Sequence, residues 1–408
     1  MRTSAFCFAS DLADEGLGAV LDNVQGRAGL GGVTMAAAYH ASRDVFPHAR
    51  TRRLRYQPGG QVFFRPDPAR WRGHAIQPRP SALTAAADPL GDLVSAAGAR
   101  DLTVQAWTVF LHVDWTEDGD PRFAEQTCFG DPCLTELCPA NPDVRAYALA
   151  LAGDIADRGV SSVLGESLHY HPLEHGAHHE RYFVELGAAA RLLFGLCFCD
   201  HCLAAAARHG ADPAELKRRA AAEVARALES DDPQSTAEIG HDEAAAMLGG
   251  QLGALLDARC ETVASLAGEL SAATAEQGVR FELLDGSGSM KGYATGRPEG
   301  GAAATIAWRV GIDIAACAHA GAAIGAIAYA ADPDRVALDL NAYAALAGGA
   351  PLVAALRPTV PDCDSPENLA AKLRVARAGG VDRVDFYHYG MAPLSALDRI
   401  REALALAG

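Results

Sequence analysis

The chain has 408 residues, half of them hydrophobic and 21% charged, and its 51 acidic against 35 basic side chains give a formal net charge of -16. This composition excludes extended disorder and disfavours nucleic acid or an anionic membrane surface as a partner, leaving neutral or cationic ones. The length suits two average domains or one large barrel.

The opening stretch, MRTSAFCFASDLADEG, lacks the apolar core of a secretory signal, so a cytoplasmic protein is expected. Runs rich in Val, Ile, Phe and Leu then predict strands at 5–9, 32–40, 103–112, 161–169, 279–285, 322–329, 351–357 and 383–389. Several lack polar alternation, as in a parallel sheet covered on both faces. Helical patterns separate them, with Asn141-Pro142 and Ser365-Pro366 as start signals and Gly159 and Gly379 as stops. Eight strands alternating with helices predict an α/β fold, a (β/α)8 TIM barrel forming a single domain over 1–408. The uncharged stretch 314–331 is rich in Ala and Gly and reads as a barrel helix followed by a buried strand, not as a membrane span.

Two connections exceed what a barrel needs, and long connections tend to be functional. The first, 41–101, contains Pro58-Gly59-Gly60, read as a hairpin turn, and nine arginines from Arg43 to Arg79, read as a solvated face or a reader of anionic glycans. The second, 170–278, is expected to be a helical insertion after strand four with a Cys/His-rich segment.

Ten cysteines without an export signal point to metal or redox chemistry, and three cluster in LCFCDHC at 196–202. Zinc takes four thiolate or imidazole ligands in a tetrahedron. Cys197, Cys199 and Cys202 supply three, and Cys128, Cys133, Cys138 and His201 are candidates for the fourth. Cys7, Cys260, Cys317 and Cys363 are scattered and read as inert. CFCDHC together with the upstream LCPANPDVRAY resembles glycoside hydrolase family 42 β-galactosidases, over residues 137–202. The resemblance implies a barrel with a structural zinc on Cys138, Cys197, Cys199 and Cys202, and a sugar substrate.

Barrel active sites lie at the C-terminal strand ends. These offer Asp11, Tyr39, His40, Trp107, His112 and Asp114, then Glu166, His169 and Tyr170. The later strands add Asp285, Tyr329, Arg357, Tyr387, His388 and Tyr389. Glycosidic cleavage needs one carboxylic acid and one carboxylate. Glu166 stands where the resembled family carries its acid/base glutamate, although Gly165 replaces the family's asparagine, and Arg357 stands where its nucleophilic glutamate would be. The expectation is therefore a glycosidase with Glu166 as general acid and Asp285 as its partner. The aromatic, histidine and Arg357 side chains would bind a small carbohydrate or glycan, with self-association left open. A metal-dependent hydrolase or lyase using the histidines of HYHPLEHGAHHE, residues 169–180, is one alternative. A carbohydrate-binding barrel without turnover is the other.

Overall fold

The computed structural model describes residues 1–174, 181–232 and 234–408. His175, His178, His179 and Glu180 of the histidine-rich stretch lie outside the described residues. Eight parallel strands form the barrel: β1 (Arg2–Cys7), β2 (Gly32–Tyr39), β3 (Thr103–Val109), β4 (Ser162–Glu166), β5 (Arg280–Asp285), β6 (Ala323–Ile327), β7 (Leu352–Leu356) and β8 (Arg383–Phe386). Each pairs with the next, and β1 pairs with both β8 and β2, which closes the sheet. All eight overlap the predicted runs. The first run was expected to continue through Ala9, but the chain turns at Phe8, whose N–H donates to Asp11 at 2.8 Å to start the helix Ala9–Glu15.

A buried polar layer sets which side chains point into the barrel. Arg383 on β8 pairs with Glu282 on β5 and with Asp385, at 2.5 and 2.8 Å, and all three are fully buried. Ser4, Thr34 and Gln105 hydrogen bond across β1, β2 and β3, and Arg383 reaches Ser162 on β4. Side chains two apart on a strand share a face. Hence Phe6, Trp107, Leu164, Glu166, Leu284 and Tyr387 also point inward, while Asp285 points out toward the helices.

Helices cover the outside. The signals at Asn141-Pro142 and Ser365-Pro366 start helices Pro142–Ala156 and Pro366–Ala378, with Asn141 and Ser365 accepting from backbone N–H groups of the first turn. The stretch 314–331 forms the short helix Ile314–His319 followed by β6. Among the described residues, no helix is long and apolar enough to cross a membrane. Among the described residues five α-helices lie between β4 and β5, and the last, Gln251–Ala275, packs on β5.

Two local features differ from the sequence reading. Pro58-Gly59-Gly60 closes no hairpin: strands Ser42–Val45 and Leu54–Gln57 pair with each other, and the chain after the glycines adds an antiparallel edge to β2. The glycines serve a close approach instead. A Cβ on Gly59 would sit 2.5 Å from that of Asp114, and one on Gly60 2.0 Å from the Trp115 Nε1. Beyond β3, an antiparallel hairpin of Ala124–Gln126 and Pro132–Leu137 leans on the barrel rim and bridges His112 to Glu136. No element was assigned there from sequence, although Gly130-Asp131-Pro132 between short runs is a turn signal.

Candidate active site

Glu166 ends β4 with its side chain turned into the barrel mouth. The Trp107 indole N–H donates to its carboxylate at 2.5 Å. Burial raises the carboxyl above its ordinary range, while the Trp107 hydrogen bond and the charges of His112 and His171 pull the other way. Aromatic rings surround it. Trp107 packs edge-on to Phe6, Tyr39 and Tyr387, with centroids 5.0, 4.6 and 5.9 Å away. Phe8 stacks on Trp107 at 5.8 Å and meets His388 at 4.2 Å. On the far side Tyr329 lies 5.7 Å from Tyr387, and the Arg357 guanidinium sits 4.5 Å over the Tyr329 ring. Arg357 is held by Asp362 at 2.5 Å. This end of the barrel thus brings aromatic rings, one guanidinium and tyrosine hydroxyls around one half-buried acid.

A second group lies where the extensions of β3 and β4 meet the hairpin. His112 places Nε2 3.0 Å from Asp114 and Nδ1 3.4 Å from Glu136. His171 places Nδ1 2.6 Å from Glu136 and 3.7 Å from Glu125, which also accepts from the His171 backbone N–H. His112, Glu136 and His171 are all buried, with one ligand atom of each lying within 4.8 Å of the others. Burial lowers the basicity of His171, but the charges of Glu136 and Glu125 more than offset it and raise its pKa to about 10. His40 stacks on Tyr39 and lies 4.0 Å from Asp114. Burial and the His112 charge lower its pKa to about 4.

Cys138, at the end of the hairpin, meets Cys197, Cys199 and Cys202. Its sulfur is 3.5 Å from those of Cys199 and Cys202 and 3.9 Å from that of Cys197. Four thiolates around a tetrahedral ion at ~2.3 Å lie roughly 3.8 Å apart, so these four residues can hold a metal ion. Outer donors are also in place: the Gln126 N–H points at Cys197 Sγ at 3.3 Å, and Tyr170 Oη lies 3.4 Å from Cys202 Sγ. Of the sequence candidates for the fourth ligand, the fold brings Cys138 into the group, while Cys128, Cys133 and His201 are not in it.

Several expected site residues face elsewhere. Asp285 is buried on the outer face of β5, where it accepts from Tyr343 Oη at 2.6 Å and from the Ser287 hydroxyl and N–H, both at 2.8 Å. Those three donors, on the face opposite to Glu282, separate it from Glu166. Tyr170 packs against the cysteines with Arg259 4.4 Å over its ring. Tyr389, beyond the end of β8, donates to Glu15 and accepts from Asn23 among the outer helices. Asp11 caps its helix. His169 is buried beside His171, with centroids 5.1 Å apart, and burial lowers its pKa to about 3. Phe6, Phe8, Glu125 and Glu136 are site residues that the sequence reading missed. The two phenylalanines could have been found from the parity of β1.

A cleft of about 1050 Å³ is walled by Leu173, Arg191, Lys291, Arg297 and Arg309 among others, and Glu166 is not in its wall.

No family model and no curated protein matches the chain. Solved structures do match. The α-L-fucosidase isoenzyme 2 of Paenibacillus thiaminolyticus superimposes with a TM-score of 0.53 at 10% identity, covering 99% of this chain and 49% of that one. The β-galactosidase of the psychrophilic Marinomonas ef1 gives 0.55 at 11% identity over 100% of this chain and 59% of its own. The β-galactosidase of Rahnella sp. R3 gives 0.54 at 12% identity over 100% and 55%. The chain thus spans about half to three fifths of the length of these proteins. It has the closed (β/α)8 barrel fold, and these three structural neighbours are glycoside hydrolases.

Proposed function

We propose that the protein hydrolyses an O-glycosidic bond, with Glu166 as the general acid that protonates the leaving oxygen and water adding its hydroxyl to the glycosyl carbon, its remaining proton restoring the acid. The observation that carries this reading is a carboxyl at the end of β4, turned inward among aromatic rings and shifted by burial toward the protonated form that a general acid needs. The half-buried Tyr387 and Tyr329 offer hydroxyls and ring surface for a sugar, and the half-buried Arg357 a charged donor. Asp285, anticipated as the second carboxylate, is given a structural role in this reading because its oxygens are already occupied on the outer face. The neighbours' fold supports the reading by analogy only.

The ion suited to the four cysteines is zinc, since an all-thiolate tetrahedron with no open position matches its structural sites. It would tie the hairpin after β3 to the helices after β4, and with them the rim beside Glu166.

The test is a screen of glycans and aryl glycosides with the wild-type protein beside Glu166→Gln, with circular dichroism on both. A loss of about a hundredfold or more in the folded variant is expected. Turnover unchanged by the substitution overturns Glu166 as the acid. Glycan binding without turnover in the wild type instead identifies a binding barrel, the reading that Arg357 at the end of β7 favours.

A further inference from the structure

We infer that His112, Glu136 and His171 form a second metal site, separate from the cysteines, for a divalent transition-metal cation such as Zn²⁺. Two imidazoles and one carboxylate on a buried wall are the three-ligand type that leaves a coordination position for water or a substrate oxygen. The group sits on the rim beside the Glu166 pocket, carried by the extensions of β3 and β4 and by the hairpin.

Three features of the geometry support a cation here. First, ligand atoms of a tetrahedral site with bonds of ~2.1 Å lie roughly 3.4 Å apart. Glu136 places Oε1 3.4 Å from His112 Nδ1 and Oε2 2.6 Å from His171 Nδ1, and one ligand atom from each of the three residues lies within 4.8 Å of the others. Second, His112 turns Nε2 to Asp114 at 3.0 Å, the outer carboxylate contact that holds a ligating imidazole in one tautomer with its other nitrogen toward the ion. Third, Glu125 and Glu136 are both buried, with His171 Nδ1 3.7 and 2.6 Å from them. A divalent ion bound to the neutral imidazoles would offset the charge of these two buried carboxylates. Buried His169 stands beside them, and its Nε2 has no hydrogen-bond partner among the described residues.

The site reads out without any activity assay. Metal-depleted, reduced full-length protein is titrated with Co²⁺ and followed by absorption. Binding at the cysteines produces the intense thiolate-to-cobalt charge-transfer band. The second site adds d–d absorption without that band and brings uptake to about one further equivalent per chain. Glu136→Gln and His171→Asn should each weaken this second population at least tenfold and leave the thiolate band intact. Asp114→Asn, which keeps all three ligands, should weaken it about tenfold. A wild-type protein that takes up cobalt only with the thiolate band overturns the site, as does a second population that persists unchanged in the folded variants. If Glu136→Gln and His171→Asn fail to fold, Asp114→Asn and the wild-type titration decide.

Discussion

The ends of β4 and β5 carry two carboxylates of similar promise in sequence and opposite position in space. Glu166 points into the mouth among aromatic rings with a single indole donor, while Asp285 points outward and is held by three donors from Ser287 and Tyr343. Both are raised by burial, so desolvation alone does not mark a catalytic group. What separates them is strand parity and free hydrogen-bonding capacity.

Substitutions can break or sharpen that contrast. The largest effect is expected at Glu166→Gln: turnover falls about a hundredfold or more, equivalent to about 2.7 kcal/mol, while the fold is kept. At Asp285→Ala the pattern inverts, with about 3 kcal/mol lost in denaturant unfolding as Tyr343 and Ser287 lose a buried acceptor, and turnover per folded molecule retained. A large turnover loss in a stable Asp285→Ala protein would return Asp285 to the chemistry. Chelation of the metal proposed for the cysteines, under reducing conditions, should lower the melting temperature; an unchanged melting temperature would remove the bracing role.

The pH dependence distinguishes the two groups further. A carboxyl raised in the folded state binds its proton more tightly there than in the unfolded chain. Stability from Glu166 is therefore full below the ordinary carboxylate range and declines as pH rises through the folded value. The acid it supplies is lost over the same interval, so turnover should fall on the alkaline side with that apparent pKa. Glu166→Gln removes the ionising group and should flatten the stability profile there. The smallest effect belongs to Trp107→Phe: without the indole donor the ionised form is less stabilised, and the alkaline limb should move to higher pH. A limb that stays in place would show that the Trp107 bond does not tune the acid.

The apolar runs disclosed all eight barrel strands, because a strand covered on both faces must be apolar almost throughout. The cysteine spacing was equally legible, since three ligands within six residues are local geometry. The Glu166 side chain faces inward because it shares the parity of Ser162 and Leu164 on β4. Parity carried one residue past Phe386, the last residue of β8, to Tyr387, and no longer applied at Tyr389.

Sequence by itself thus determined the barrel, the order of its strands and the local cysteine motif, all of which follow from hydrophobic pattern and short-range spacing. Only the tertiary structure decided which way Asp285, Tyr170 and Tyr389 face, and that Glu125 and Glu136 meet His112 and His171. Those outcomes depend on how distant segments pair in register, and a one-residue change in register turns a side chain to the other face.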